Sequence, residues 1–579
     1  MAASAAVSPD ALRPKFALGL SMAGAVSAGS YTAGVVDFLF EALDALEAAK
    51  RRSHPTTNDY EDPDGCFEIF DPGHNVQIGA MSGTSAGAMV TATAACVANT
   101  TVTQVYPKLR DNLTKVPSDK TGNPFYDAWV IGHQKSKNTY AEYIDQLLGD
   151  NDLQNGNTEV KSLLDATVVQ QTIHEIISNY SIRNDHPRAY FGADLPVYLC
   201  LANMRGVDYL LPMNGPGPQE DTPTMDGAGH RMRMHADFMA FIINTKTTRL
   251  GFVPLNNDRA AWDQLGLAAQ ASGAFPLALP AVMLKRPFSD YEYLDLNWGA
   301  TGGAGIKPPP PPRPLKPKDC ATDYDFSCVD GGTFNNEPFE LCRKELEKRG
   351  EIEKHSAVVL IDPFPEAEAA TNSLQIVHVL QSLLISYIAQ SRFKPQELCR
   401  ASNNNDTSLW AILPRRENSG SLVLATGFLR AFGGFLFKEC RHHDYLLGRR
   451  NCQQFLRKHL VLDKDDELFV KWPPEMQNKY LVDQQYLPVV PLLGKLARED
   501  YTKVPAWPTV ELKSADLRKK VKRRMANVKD ALLSSAGLKA WHKLPVRVLI
   551  QVAYWLFSGR LISLILTTIE SAAKCAYLL

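Results

Sequence analysis

The stretch from Ile78 to Ala98, IGAMSGTSAGAMVTATAACVA, constrains the fold more than any other part of the chain. A short apolar run meets Gly83-Thr84-Ser85-Ala86-Gly87, and small residues of helical character follow at once. This order predicts a strand that turns sharply into a helix, with the Ser85 hydroxyl exposed on the turn. Gly83 and Gly87 leave room for the tight backbone, and the new helix offers N–H groups where an oxyanion would form. The alternative interpretation is a Gly/Ser/Thr-rich turn before a buried helix.

Composition narrows the class of protein. The chain has 579 residues, of which 45% are hydrophobic, so it can form two or three domains or one large enzyme domain with additions. Its net charge of −1 gives no reason to expect a nucleic-acid partner. The ten cysteines show no metal-ligand spacing and the N-terminus no signal peptide, so we expect reduced thiols, no metal, no cofactor and a cytoplasmic location.

The first βα unit has an unusual connection. Residues 16–20 predict a strand, and the spacing of apolar residues from Tyr31 to Leu46 predicts a helix. Between them lies MAGAVSAGS, residues 22–30, which is almost entirely small. A loop of small residues that leads into a helix can bind an anion, although a tight connection without a ligand fits as well.

The remainder of the chain alternates helical and strand patterns. Residues 100–187 are mainly helical and read as an insertion or cap. Strands are expected at residues 197–202, 209–212, 238–244 and 357–361, and a helix within 261–279. A Pro-rich loop occupies residues 301–320, and residues 366–579 are mostly helical in pattern.

Four segments follow one another in an order that resembles the patatin-like phospholipases, a family of serine acyl hydrolases. They are the loop at Gly24, the Gly-Thr-Ser-Ala-Gly elbow, ASGAFPLALP at residues 271–280, and Asp330-Gly331-Gly332 with Asn335, Asn336 and Pro338 behind it. The resemblance covers roughly residues 15–365. A weaker likeness to longer bacterial members is carried by His443-Asp444-Tyr445 and Gly448-Arg449-Arg450.

The resemblance implies a three-layer α/β/α sandwich and a catalytic dyad of Ser85 and Asp330. It places backbone oxyanion donors at Gly24, Ala25, Val26 and Ala86, and motif glycines at Gly83, Gly87, Gly331 and Gly332. Asp330 would take the serine proton directly, but a free aspartate, with a pKa near 3.9, is a weak base. We therefore expect burial to raise its pKa, a short hydrogen bond to join the two side chains, and the oxyanion donors to supply about 3 to 4 kcal/mol each.

The first loop departs from the family pattern, which has three glycines, any residue, Arg or Lys, and then glycine. Here two of those glycines become Ala25 and Val26, and the basic residue becomes Ala28. Backbone N–H groups can still point at an oxyanion, but the β-branched Val26 would be strained at positive φ. Ser27 and Ser30 offer hydroxyls nearby.

A catalytic triad that includes a histidine, or a metal site built from histidines, is the alternative to a Ser-Asp dyad. None of the thirteen histidines sits in a recognisable triad motif, and only one clear strand precedes the elbow strand. His442-His443-Asp444 contains residue types that bind metals. However, adjacent residues on a helix point in different directions, so we do not expect them to share a metal ion.

Residues 514–535 predict a basic amphipathic helix, and residues 546–569 are apolar around Arg560. Neither apolar half is long enough to span a bilayer. Residues 514–579 could lie on a membrane surface, or they could pack on the domain as ordinary helices.

The expected function is hydrolysis of carboxylic esters of phospholipids or other glycerolipids through an acyl-Ser85 intermediate. Three alternatives stay open: a lipid-binding pseudoenzyme whose altered first loop prevents turnover, a general carboxylesterase for short acyl chains, and a scaffold that recruits partners through its Pro-rich loop and helical C-terminal region.

Overall fold

The computed structural model describes most of the chain. The described residues are 13–53, 71–103, 115–132, 143–153, 160–182, 186–212, 229–244, 248–293, 313–320, 322–349, 355–364, 379, 382, 386, 389–392, 409–416, 423–427, 431–510 and 514–535.

A large, mostly parallel sheet forms the centre of this described part. Its strands are β1 (Lys15–Met22), β2 (Asn75–Gly83), β3 (Leu195–Pro212), β4 (Gly229–Ile243), β5 (Val253–Leu255), β6 (Val282–Pro287), β7 (Arg313–Leu315), β8 (Asp323–Asp330), β9 (Ser356–Ile361) and β10 (Leu409–Ile412). The order is β10-β9-β1-β2-β3-β4-β5, with parallel pairing from β10 to β3. β4, β7 and β8 pair with β3 antiparallel, and β6 pairs with β8. β11 (Val461–Asp463) and β12 (Tyr486–Pro488) form a separate hairpin.

Helices cover both faces of the sheet. The longer ones are α1 (Gly29–Ser53), α2 (Ala86–Cys96), α3 (Thr167–Tyr180), α4 (Arg259–Ser272), α5 (Phe339–Lys348), α6 (Lys438–Lys458) and α7 (Ser514–Ser535). Shorter helical segments span Val26–Ala28, Pro124–Tyr126, Asp127–Ile131, Tyr143–Leu147, Phe288–Glu292, Gly331–Thr333, Gly433–Leu436, Glu467–Phe469, Pro474–Tyr480 and Gly494–Ala497.

Alternation along β1 separates the two helical layers. Phe16, Leu18 and Leu20 belong to the main core with α1 and α2, whereas Ala17 belongs to a second cluster with α5. Both faces of β1 are therefore buried, as expected of a central parallel strand. The three-layer α/β/α sandwich predicted from the sequence is confirmed.

Two predicted strands turn out to be one. Residues 197–202 and 209–212 both lie in β3, whose pairing with β4 shifts register between Ala202 and Val207. Gly206 has φ +70° at this irregularity, and its N–H donates to Asn203 Oδ1 at 2.9 Å. The polar residues at the bulge resemble a turn in the sequence, although the strand continues beyond them.

The described part of the insertion lies against the central helices. In residues 100–187, α3 packs on α2 and α4, and a short helix spans Tyr143–Leu147. In the Pro-rich loop, residues 301–312 lie outside the described residues, whereas Arg313–Leu315 forms β7.

Residues on both sides of position 365 share one sheet and one core. β10 extends the sheet beyond β9, and α6 packs along α1. Between these helices the fully buried Arg449 guanidinium forms ion pairs with Asp37 and Glu41. Tyr501 donates to the same Glu41 at 2.5 Å.

The predicted helix 514–535 coincides with α7. Its Leu517 and Val528 are buried, Lys520 pairs with Asp145 at 2.8 Å, and Arg524 pairs with Asp152 at 2.6 Å. These contacts hold α7 against the insertion. Of the described helices, none combines the length and the apolar character needed to cross a membrane. The apolar segment 546–569 lies outside the described residues, and membrane contact through 514–579 stays a prediction.

Candidate active site

Ser85 lies on a sharp turn between β2 and α2. Its backbone has φ 54° and ψ −123°, a conformation that non-glycine residues seldom adopt. Gly87 follows in the first turn of α2, where a Cβ atom would collide with the Met22 carbonyl oxygen of β1. Gly83 ends β2. The strand–turn–helix geometry predicted for this stretch is present.

Asp330 ends β8 and reaches Ser85 from 245 positions further along the chain. The Ser85 Oγ–H donates to Asp330 Oδ2 at 2.6 Å, and the Gly332 N–H donates to Asp330 Oδ1 at 2.8 Å. Gly331 packs so closely on β3 that a Cβ would meet the Cys200 carbonyl. Because both side chains are buried, their hydrogen bond is shielded from water.

Burial also changes the chemistry of the aspartate. Removal from water raises the pKa of Asp330 to about 6, although the hydrogen bonds from Ser85 and Gly332 oppose the rise. The expected upward shift is confirmed in direction. A carboxylate with this pKa is charged at neutral pH and is a stronger base than a solvated aspartate.

Two further motif segments hold the turn. The Ser85 N–H donates to Ser272 Oγ at 2.9 Å, and Thr84 Oγ1 donates to the Asn335 carbonyl at 2.8 Å. The Asp330 N–H donates to the Ala274 carbonyl at 2.9 Å. Sequence reasoning singled out these segments without assigning them roles, because the contacts of Ser85 and Thr84 join positions 187 and 251 residues apart.

The first loop passes beside Ser85. Val26 has φ 47°, so the strained conformation foreseen for it does occur. The Gly24 N–H donates to the Asn336 carbonyl at 3.1 Å, which gives this expected oxyanion donor another acceptor. Val26 begins the turn before α1, with Ala25 as its N-cap, and Ala86 begins α2. N–H groups at such positions have no acceptor within their own helix.

The C-terminal region holds this loop from behind. The Ser27 N–H donates to the Ala431 carbonyl at 3.2 Å, and the Ser27 hydroxyl donates to the same oxygen. The Gly434 N–H in turn donates to Ser27 Oγ at 3.1 Å. Ser30 Oγ donates to the Ser27 carbonyl at 3.3 Å. Ser27 thus fastens the loop to the C-terminal region, whereas Ser30 bonds only to the turn just before it, a difference that their positions in the sequence do not reveal.

An apolar cavity opens at the dyad. Ser85 and Asp330 lie in its wall, and α2, α3 and α4 form its sides. Phe275, Phe432 and Phe435 contribute aromatic surface from two distant parts of the chain. Counted with its open mouth, the cavity amounts to about 1110 Å³. Asp330 and Arg441 are the charged residues among its described lining residues.

No histidine among the described residues is hydrogen bonded to Ser85 or Asp330. His442 contacts the Tyr126 hydroxyl at 2.7 Å, whereas His443 contacts Asp444 at 2.7 Å. The neighbouring histidines thus have separate partners. Within the described ranges, no group of three or more His, Cys, Asp or Glu side chains is arranged to hold a metal ion.

The fold and this geometry agree with comparison to known proteins. The family model described as Patatin-like phospholipase matches residues 20–343, and the chain belongs to this family. The match spans the first loop, the elbow and the aspartate motif. It supports assignment to a family of lipid acyl hydrolases.

A relative extends the likeness to nearly the whole chain. It is the uncharacterized protein y4iI of Sinorhizobium fredii (strain NBRC 101917 / NGR234), with 29% identity. The alignment covers 94% of this chain and 80% of the relative. The similarity therefore includes the C-terminal region that holds the first loop.

Proposed function

We propose that the protein is a lipid acyl hydrolase that cleaves carboxylic esters of phospholipids or related glycerolipids through an acyl-Ser85 intermediate. The observation that carries the proposal is the 2.6 Å hydrogen bond from Ser85 Oγ to Asp330 Oδ2 at the wall of an apolar cavity. A pseudoenzyme would not require a strained serine, a buried base and a cavity to coincide at one place.

The reaction has two halves in this proposal. Asp330 Oδ2 takes the Ser85 proton while Oγ attacks the ester carbonyl carbon, and the leaving alcohol then takes that proton from Asp330. Water next attacks the acyl-enzyme and gives a proton to Asp330. Ser85 Oγ recovers that proton as the fatty acid leaves. The two steps together consume one ester and one water.

Backbone N–H groups would stabilise the oxyanion formed in each half. We assign this role to Ala25, Val26 and Ala86, since Gly24 already donates to Asn336. The positive φ of Val26 supports the assignment, because backbone strain is commonly retained where it orients a functional group. The N-terminus of α2 adds a partial positive charge at the same place.

The wall of the cavity supports a long acyl chain as the bound group. Ile173 and Ile177 of α3, together with Met89 and Ala92 of α2, line the space with apolar side chains. Each buried methylene of a substrate is worth about 0.8 kcal/mol. Activity should therefore rise with acyl length, which distinguishes a lipid hydrolase from a short-chain carboxylesterase.

Replacing Ile173 by tryptophan should narrow the cavity and shorten the preferred acyl chain. The ratio of kcat/KM for p-nitrophenyl octanoate to that for the butyrate should fall at least roughly tenfold, because methylene burial is lost. Gln171→Trp on the exposed side of α3 is the matched control. An unchanged ratio in Ile173→Trp would place the acyl chain elsewhere.

Replacing Ser27 by alanine should loosen the first loop and lower kcat without changing KM. We expect a decrease of about tenfold to a hundredfold, because the oxyanion donors lose part of their fixed geometry. Ser30→Ala removes a buried hydroxyl from the first turn of α1, where it has only a local acceptor, and should change kcat by less than about twofold. Equal effects of both substitutions would contradict the role given to Ser27.

The proposed function is tested by measuring fatty-acid release from mixed phospholipid vesicles and from p-nitrophenyl esters of increasing length. Release from phospholipid supports the proposal. Hydrolysis of short esters alone would indicate a general carboxylesterase. Absence of turnover on every ester would favour a lipid-binding pseudoenzyme or a scaffold.

A further inference from the structure

A second concave site lies at the edge of the sheet, on the surface formed by β10 and α6. We call it the basic groove. Its walls are the edge strand β10 with the residues that follow it, and the face of α6 that carries Arg450, Gln454 and Lys458 at four-residue spacing. It shares no described lining residue with the cavity at Ser85, and with its open side it amounts to about 1460 Å³.

The groove is basic throughout its described lining. Arg415, Arg416, Arg450, Lys458 and His459 contribute to it, and no aspartate or glutamate is among its described lining residues. The chain as a whole carries a net charge of −1, so this clustering is local. Cations concentrated in one concavity raise the local concentration of anions.

Three of the groove cations, Arg415, Arg450 and Lys458, have no carboxylate partner among the described residues. Arg450 Nη1 donates to the Glu499 and Thr502 carbonyls at 2.7 and 3.0 Å, and these bonds orient the guanidinium without cancelling its charge. In the described part of the chain, neither Arg415 nor Lys458 has a carboxylate partner. By contrast, Lys520 and Arg524 of the basic helix α7 are paired with aspartates.

The groove is also held in shape before any ligand binds. The Asn451 side chain accepts from the Arg415 N–H and donates to the Arg415 carbonyl, both at 2.9 Å, which fastens the residues after β10 to α6. Trp410 and Phe455, which also line the groove, pack edge to face with ring centroids 6.1 Å apart. An ordered frame reduces the entropy lost when a ligand binds.

One buried donor adds to this pattern. Gln454 Nε2 is inaccessible to water and has no hydrogen-bond acceptor among the described residues. Leaving such a donor unsatisfied is costly, and a rotation of the Gln454 side chain, which lines the groove, would bring it to an oxygen-rich ligand. Burial, together with the charges of Arg415 and Lys458, lowers the pKa of His459, which reflects the positive potential around this end of α6.

We propose that the basic groove binds phosphate-bearing anions. Guanidinium groups match the oxygens of a phosphate in charge and in bidentate geometry, and Lys458 adds a mobile cation. The phosphate could belong to a lipid headgroup or to a soluble molecule, since the recognising chemistry is the same. The proposal does not depend on catalysis by Ser85.

The test uses the full chain and a pair of exposed residues. Arg415→Gln with Lys458→Gln removes two groove cations that have no described carboxylate partner. Lys464→Gln with Lys471→Gln removes two exposed cations outside the groove and is the matched control. Titration calorimetry with tripolyphosphate measures a soluble phosphate ligand. Co-sedimentation with phosphatidylcholine vesicles, with and without phosphatidic acid, measures a headgroup, and for this arm all proteins also carry Ser85→Ala to prevent turnover.

The groove pair should weaken phosphate binding at least roughly tenfold, since each lost charged hydrogen bond contributes substantially to affinity. The control pair should change it less than about twofold. A loss confined to tripolyphosphate identifies a soluble ligand, and a loss that extends to phosphatidic acid vesicles identifies a headgroup. Failure of both probes to bind the wild-type groove, or equal losses in the two pairs, would overturn the proposal.

Discussion

Replacing Ser85 by alanine is expected to abolish ester hydrolysis, with a loss in kcat of about ten-thousandfold or more. The substitution removes the only atom that the proposed mechanism joins to the acyl group. It also leaves Asp330 without the hydroxyl that donates to its Oδ2 atom. The fold should survive, because alanine tolerates the space of serine and the Ser85 N–H keeps its bond to Ser272.

The measurement pairs turnover with covalent labelling. A fluorophosphonate that reacts with activated serines should label the wild type once and should not label Ser85→Ala. Ser181→Ala is a matched control, since Ser181 has the same 7% exposure as Ser85 but caps the end of α3 and donates to the Ile177 carbonyl of that helix. This control should keep both labelling and turnover. Hydrolysis that persists in Ser85→Ala would refute the nucleophile.

Replacing Asp330 by asparagine should lower kcat by about a hundredfold to ten-thousandfold, the usual contribution of a general base. Asparagine has nearly the same shape, and its Oδ1 can still accept the Gly332 N–H. The atom facing Ser85 becomes an NH₂ group, which donates and cannot take the serine proton. KM should change little, because the apolar cavity is unaltered.

The pH dependence tests the same residue in another way. Asp330 must be deprotonated to act as a base, and burial raises its pKa to about 6. Wild-type kcat/KM should therefore be constant above this value and should fall about tenfold per pH unit below it. Asp362→Asn is an informative control, because burial raises the pKa of Asp362 to about 6 as well. If the acidic limb disappears in Asp362→Asn and persists in Asp330→Asn, the base is misassigned.

Much of the fold could be predicted because local patterns and tertiary environment agree. The buried strand β1, the elbow into α2 and the helix α7 all carry periodicity or composition that matches their burial. The sequence pattern predicts two strands where the structure has the single strand β3, because the polar residues and Gly206 at the bulge resemble a turn. This prediction is wrong because β3 continues through its pairing with β4, a tertiary contact that a short stretch of sequence does not reveal.

The parts of the site that escaped prediction depend on contacts between distant residues. The Ser27 hydroxyl donates to the carbonyl of Ala431, a residue 404 positions away. The Gly24 N–H donates to the Asn336 carbonyl and is therefore already engaged. Phe432 and Phe435 reach the cavity from the same distant segment. Motif order could identify Ser85 and Asp330 as partners. It could not reveal which chain segments orient the groups around them.

The buried pairing of Arg449 with Asp37 and Glu41 bears on how this chain can evolve. Residues 20–343 contain the recognisable family sequence, yet two of the carboxylates within them are neutralised from α6. A gene shortened to that recognisable stretch would lose α6 altogether, so it would break both ion pairs and expose the surface of α1 that α6 covers. The stretch that matches the family model is therefore shorter than the stretch that packs together in the structure. Substitutions at Arg449 of α6 and at its partners Asp37 and Glu41 of α1 should consequently be tolerated only in compatible combinations.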